Sequence, residues 1–326
     1  MSESRAAPTG PVSGRSGDTD RMRARAVWLY YAEGMKQSEI ATALGTTRVA
    51  VVRLLADARR RNEVRITISA PLAELARLET SLSSRFGIAE VILCPSGDGG
   101  SDPTLSIAAA AGAHVSGLMK SGMSVGVGWG RTLHSMLPFI EGRTLEDVRI
   151  ISLLGGISAA RRFNPAEFAW RFAELFQGEG YLVPAPALVD SAETRAALIE
   201  RCGIGEVFEM AAALDMALIS VGGIAAEATS FRTGHLSEAE RRDLIGAGAV
   251  GDVFYNFIDA EGRVIDHAVN ARTISVDLAD VARARERVLI SGGAEKVAAL
   301  RGAITALKPT CLVTDEKTAE ALLAGA

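Results

Sequence analysis

Three groups of residues in this chain have types and spacings suited to holding an anion or a polyol. The first is Val125-Gly126-Val127-Gly128-Trp129-Gly130-Arg131-Thr132. Glycines after an apolar strand let backbone N–H groups approach an anion, and the next helix presents its N-terminus there. Arg131 adds a fork of donors and Thr132 a hydroxyl, which are the groups a phosphomonoester takes. Gly126-x-Gly128 lacks a third glycine at position 131 and the segment lacks the lysine of a P-loop, so neither nucleotide fingerprint is met. A tight strand-to-helix turn is the competing explanation. The second group is Gly248-Ala249-Val250-Gly251-Asp252, whose carboxylate could accept from sugar hydroxyls or simply cap a helix. The third is Ser291-Gly292-Gly293-Ala294-Glu295-Lys296, which puts Lys296 in a first helical turn, against the helix dipole, where it faces either a ligand or solvent.

Such residues have to be carried by strand ends, and the hydropathy pattern supplies them. Strands are expected near 123–127, 148–154, 215–221, 249–254, 285–290 and 311–314, with helices near 104–120, 164–177, 237–246 and 294–306. This alternation specifies an α/β fold with a mainly parallel sheet covered on both faces, whose ligands bind beyond the carboxyl ends of the strands. Further glycine-bearing strand ends, Leu154-Gly155-Gly156-Ile157 and Val221-Gly222-Gly223-Ile224, together with Pro184-Ala185-Pro186, suggest one crowded site.

Residues 37–55, QSEIATALGTTRVAVVRLL, have a different periodicity, that of two short helices joined at Gly45. Ala41 is small where the helices touch, and Gly45 tolerates positive φ between them. Ile40, Leu44, Val51 and Leu54 fall on the shared apolar side, which turns Thr47, Arg48, Val49, Val52 and Arg53 outward from the second helix as candidate groove readers. Gln37 and Ser38 can close the turn before the first helix, and Thr46 or Thr47 can cap the second. Charge supports contact with DNA. Residues 21–65 hold ten Lys or Arg against four Asp or Glu, whereas the whole chain has 35 against 39. Arg59, Arg60 and Arg61 end the second helix, where cations serve either the dipole or a phosphate backbone. Glu63 to Ser69 alternates as a half-buried strand does, which predicts a wing.

A length of 326 residues and a composition of 48% hydrophobic with 5% aromatic residues fit two domains built on aliphatic cores. The expected division is a disordered leader over 1–20, a helix-turn-helix over 21–69, and an effector and oligomerisation domain over 70–326, with a linker helix at 72–86. No apolar run reaches the ~18 residues needed to span a bilayer and the start lacks a signal-peptide core, so a cytoplasmic protein is expected. Cys94, Cys202 and Cys311 form no close pair and read as small buried residues. His114, His134, His235 and His267 lack metal-ligand spacing, so neither a metal nor a cofactor is expected.

Taken in order, IATALG, TRVAVVRLL, VGVGWGRTL, LLGG, PAP, ISVGGI, GAVGD and SGGAEKVAAL resemble the SorC, or sorbitol-operon-type, bacterial transcriptional regulators over roughly residues 24–322. The resemblance implies a sensor with the Rossmann-like fold of glucosamine-6-phosphate deaminase and ribose-5-phosphate isomerase. It also implies a phosphorylated sugar or polyol effector that alters affinity for double-stranded operator DNA, a dimer or tetramer, and repression relieved by inducer. By motif it places the phosphate loop at Gly128 to Thr132, with Gly155 and Gly156 on the neighbouring loop and Asp252 and Lys296 as effector contacts. Trp129 replaces smaller residues and either stacks on the ligand or packs beneath the loop. At the reading helix both family arginines remain, as Arg48 and Arg53, while Val52 stands where a serine is usual. The alternative is an enzyme of the same fold, a sugar-phosphate isomerase or deaminase with Asp252 and Lys296 as its acid–base pair. An isomerase has no use for the basic helix-turn-helix.

Overall fold

The computed structural model describes residues 14–61, 63–64, 72–96, 102–157, 163–232 and 236–325. The chain divides into two compact units, Met1–Ile66 and Thr67–Ala326. The first 13 residues of the expected leader, most of the expected wing (Arg65 to Ser69) and His235 lie outside the described residues.

The smaller unit is a three-helix cluster of α1 (Gly14–Tyr31), α2 (Gln37–Ala43) and α3 (Arg48–Arg60). Helix α1 begins inside the span expected to be leader. Its Ala26 packs with Ile40, Ala41, Val51, Leu54 and Leu55 from the other two helices in one small core. Arg23 of α1 is buried and donates from both Nε and Nη2 to the Glu63 carboxylate, at 2.5 Å each, so an ion pair fastens the chain after α3 to α1. The pair holds Glu63 below its ordinary range, the hydrogen bond from Arg23 being the largest cause. Glu63 is therefore an anchor rather than the start of a strand.

The first described element of the larger unit is helix α4 (Leu72–Phe86), and the unit is built on a seven-stranded parallel sheet. Its strands are β1 (Glu90–Cys94), β2 (Ser124–Val127), β3 (Arg149–Ser152), β4 (Glu179–Tyr181), β5 (Met216–Ile219), β9 (Glu286–Ile290) and β10 (Cys311–Asp315). A separate antiparallel sheet consists of β6 (Gly222–Gly223), β7 (Gly251–Val253) and β8 (Asn256–Ile258). The strand expected near 249–254 thus belongs to this small sheet and not to the parallel one, because β7 pairs with its own hairpin partner β8.

Order in the large sheet is β1-β10-β9-β5-β2-β3-β4. Alternate residues of the strands enter different cores. Val125, Ile150, Leu218, Ile290 and Val313 face α5 (Thr104–Leu118), while Ile151, Ala217, Ile219, Leu289 and Leu312 join the opposite layer. Two-sided burial of this kind is why the strands read as continuous apolar runs. From β2 the chain winds outward to β3 and β4, then returns to β5 on the other side of β2. The β2/β5 boundary is the switch point, where a crevice opens beyond the carboxyl ends.

Candidate effector site and DNA-reading surface

A cavity of about 560 Å³ lies at that switch point. The loops after β2, β5 and β9 supply Trp129 to Thr132, Ser220 to Gly223, and Glu295 with Lys296, and Asp252 enters from β7. Of the nine sequence-predicted effector residues the structure brings six together here: Trp129, Gly130, Arg131, Thr132, Asp252 and Lys296.

Gly128, Gly155 and Gly156 are not among the lining residues, and their amides show why. The Gly128 N–H donates to Leu218 O at 2.9 Å, and a Cβ there would strike the Phe254 ring. Gly155 and Gly156 donate to Ile274 O and Ala185 O at 2.9 and 2.7 Å, and a Cβ on Gly155 would enter the Ala185–Pro186 backbone. Gly128 and Gly155 let a neighbouring segment approach closely, and all three N–H groups are already committed to carbonyls. By contrast Gly130, at φ 121°, starts the short helix α6 (Arg131–Met136). The amides of Gly130, Arg131 and Thr132 make no hydrogen bond among the described residues, as expected of a helix start whose donors await a partner.

Asp252 is buried in the cavity wall. Its Oδ2 accepts from the Tyr255 amide at 3.0 Å, whereas its Oδ1 is buried with no hydrogen-bond partner among the described residues. Burial pushes its carboxyl up to about 6, with the Tyr255 amide bond, the nearby Ser230 hydroxyl and the Lys296 charge opposing. Gly222, the register partner of Asp252, leaves room for that carboxylate, since a Cβ at 222 would collide with it. Lys296 ends a turn of 3₁₀ helix and is held below its ordinary range, first by desolvation. The Arg131 guanidinium pairs with Asp102 at 2.5 Å. Asp102 sits below the usual carboxylate range; burial raises it, but bonds from the Thr104 hydroxyl and amide and the Arg131 charge outweigh that effect.

Residues Phe254 and Tyr255 escaped the sequence reading. They form the two-residue turn between β7 and β8 with φ of 54° and 63°, the left-handed region that asparagine and glycine normally occupy in such hairpins. Both side chains are buried, Tyr255 stacking on Trp129 and Phe254 filling the space beside Gly128. Trp129 is 6% exposed, packed against Tyr255 while it also lines the cavity. Phe163, Glu227, Thr229, Ser230 and Arg232 also line it, from segments without a local signature.

In the smaller unit Gly45 has φ 62° and Thr47 caps α3, its hydroxyl accepting from Ala50 N at 3.2 Å. Thr47, Arg48, Val49, Val52 and Arg53 are all exposed, as the apolar period requires, with Val49 at 63%. Gln37 is the first residue of α2 and Lys36 precedes it as the cap, so the turn closes one residue earlier than expected. Gln37 and Arg48 line one recess together with Lys36 and Ser38. The three terminal arginines have partners within the unit: Arg59 the Tyr31 hydroxyl at 2.7 Å, Arg60 Asp57, and Arg61 Asp20 at 4.0 Å. Cys94 and Cys311 are buried as expected, but Cys202 is exposed, because it caps a surface helix, Ala192–Arg201.

An exposed helix-turn-helix together with an α/β unit that carries a cavity at its switch point defines a ligand-responsive transcriptional regulator. Comparison with known proteins agrees. The Sugar-bind family model, a sugar-binding domain, matches residues 70–324. The deoxyribonucleoside regulator of Bacillus subtilis (strain 168) is 33% identical over 310 residues, 94% of this chain and 98% of the relative. The erythritol catabolism regulatory protein EryD of Brucella abortus (strain 2308) is 30% identical over 308 residues, covering 93% and 96%. The crystal structure of the full-length sorbitol operon regulator SorC from Klebsiella pneumoniae superposes with a TM-score of 0.72 at 28% identity, covering 93% of this chain and 98% of that one. The chain belongs to the SorC family of sugar-binding transcriptional regulators. Its relatives are regulators, which decides against the isomerase or deaminase alternative. No described helix is long and apolar enough to cross a membrane.

Proposed function

We propose that the cavity binds a phosphorylated sugar or polyol and that its occupancy controls affinity for an operator of a carbohydrate or polyol catabolic operon. The observation that carries this reading is the pairing of unlike needs in one cavity. Amides of Gly130 to Thr132 that make no hydrogen bond among the described residues, with Arg131 and Lys296, offer donors and positive charge to a phosphate, while Asp252 Oδ1, buried without a partner among those residues, takes a donor. A buried acceptor without a partner costs about 1–3 kcal/mol, so a ligand hydroxyl that satisfies it gains that much against one that does not. Operator DNA is read by Gln37, Thr47, Arg48, Val49, Val52 and Arg53, the arginines contacting bases or phosphates and Val49 and Val52 offering apolar contacts such as a thymine methyl. The active species is a homodimer or homotetramer acting as a repressor in the cytoplasm. This reading is tested by fluorescence anisotropy on a labelled fragment of the chain's own promoter, titrated with sugar and polyol phosphates and their unphosphorylated forms. Release by one phosphorylated compound, without release by its parent polyol, supports it. A response to the parent alone would remove the phosphate from the proposal.

A further inference from the structure

At the other end of the sheet, Glu90 and Cys311 are the first residues of β1 and β10 and face each other in register. His114 of α5 reaches the same spot, its Nδ1 3.7 Å from Glu90 Oε1. The carboxylate, imidazole and thiol each offer a ligand atom, and these atoms lie within 4.8 Å of one another. We propose that Glu90, His114 and Cys311 form a Zn²⁺ site at the amino-terminal edge of the sheet, separate from the effector cavity at its carboxyl ends.

Four observations support a metal over a plain ion pair. His114 Nε2 is buried and makes no hydrogen bond among the described residues, and 3.7 Å is too long for a hydrogen bond at Nδ1. The side chain is thus held in place without the bonds that normally hold a buried imidazole. Second, the donor set is one sulfur, one nitrogen and one oxygen, which suits borderline Zn²⁺ and not the hard cations that take oxygen alone. Third, the distances need little change. Tetrahedral zinc with these bond lengths sets its ligand atoms roughly 3.3–3.8 Å apart, and Glu90 is exposed and free to rotate inward. Fourth, burial pushes the Cys311 thiol up to about 12, with the charges of Glu90 and Glu286 adding to the effect, and a bound dication would offset that surplus of negative charge. Three protein ligands leave a fourth position to water, and the metal would tie β1 and α5 to β10, which lies far from both in sequence.

The test is titration of the full-length metal-free protein with Co²⁺, which reports thiolate ligation by a charge-transfer band, followed by displacement with Zn²⁺. The proposal predicts a saturable band in the wild type and in Cys202→Ser, which removes the exposed cysteine. It predicts loss of the band in Cys311→Ala and binding at least about tenfold weaker in His114→Gln and in Glu90→Gln. Glu90→Gln alters an exposed side chain and keeps the test valid should Cys311→Ala fold poorly, circular dichroism checking each variant. Absence of a thiolate band in the wild type, its persistence in Cys311→Ala, or unchanged affinity in both His114→Gln and Glu90→Gln would overturn the assignment.

Discussion

The indole of Trp129 lies on the ring of Tyr255, centroids 5.0 Å apart and planes 10° from parallel. The contact joins the loop after β2 to the tip of the β7–β8 hairpin, and the same hairpin carries Asp252. A turn held in the left-handed region by two aromatic residues is costly and survives only where its surroundings fix it. Trp129 and the bond from Tyr255 N to Asp252 are two of those constraints.

Tyr255→Ala should therefore destabilise the larger unit by about 3–5 kcal/mol, the range for losing a buried aromatic ring, and should abolish stabilisation by effector. Tyr255→Phe keeps the stack and should retain the ligand response. Denaturant melts with and without effector separate the two; a Tyr255→Ala protein that still responds normally would show that the hairpin does not position the site.

Effector affinity should depend on pH through Asp252. The folded carboxyl is pushed up to about 6 from an ordinary 3.8, so the anion proposed to accept a ligand hydroxyl is fully present only above that value. Affinity should be highest above pH 6 and fall below it. Phosphate itself titrates near 6, so the comparison is with Asp252→Asn, whose profile should be flatter. Titration calorimetry from pH 5 to 8 makes the measurement, and parallel profiles would contradict this role.

The same raised carboxyl makes a statement about the empty protein. A group whose folded value lies above its unfolded one penalises the fold once ionised, so stability should decline as pH rises from about 4 to about 6. Asp252→Asn should remove that decline and leave the unliganded protein more stable at pH 8 than the wild type, by on the order of 3 kcal/mol. Urea melts at pH 5 and pH 8 provide the check.

In the smaller unit the sign reverses. Glu63 is held below 4.5 by Arg23, so its contribution is present above that value and is lost as pH falls through the lowered one. Glu63→Gln should lower thermal stability at neutral pH and remove the acid-side loss, and operator binding should weaken with it if α1 supports α3.

Operator binding by Arg53→Ala and Arg48→Ala should be weaker, with the salt slope of binding reduced by about 1 for each phosphate contact removed. Their response to effector should be unaltered. An unchanged slope in both variants would make these arginines bystanders.

Much of this was legible in the sequence because backbone period and glycine placement are local. The helix pair around Gly45, the outward set from Thr47 to Arg53, the parallel-sheet strands β2, β3, β5, β9 and β10, and the convergence of the 129–132 loop, Asp252 and Lys296 all follow from pattern or resemblance. Glycines divide the outcome. Gly130 is needed for its conformation at a helix start, whereas Gly128 and Gly155 are needed because another chain segment lies against them, which depends on tertiary neighbours no local pattern contains. The Phe254–Tyr255 turn was invisible for a related reason, since turn chemistry predicts asparagine or glycine there and packing against Trp129 overrides it. Asp252 was placed at a strand end but belongs to a separate sheet, a pairing that only its hairpin partner reveals.

If the loop from Gly130 to Thr132 recognises a phosphate while α3 reads DNA, the two roles separate in thermal melts of wild type, Arg131→Ala and Arg53→Ala with a panel of sugar and polyol phosphates. A ligand at a hundredfold excess over its Kd should stabilise the wild type by about 2.7 kcal/mol, a rise of roughly 5–10 °C, and should do the same for Arg53→Ala. In Arg131→Ala that rise should vanish while operator binding in the absence of ligand is kept. A full shift in Arg131→Ala would contradict the account and leave the loop a structural turn.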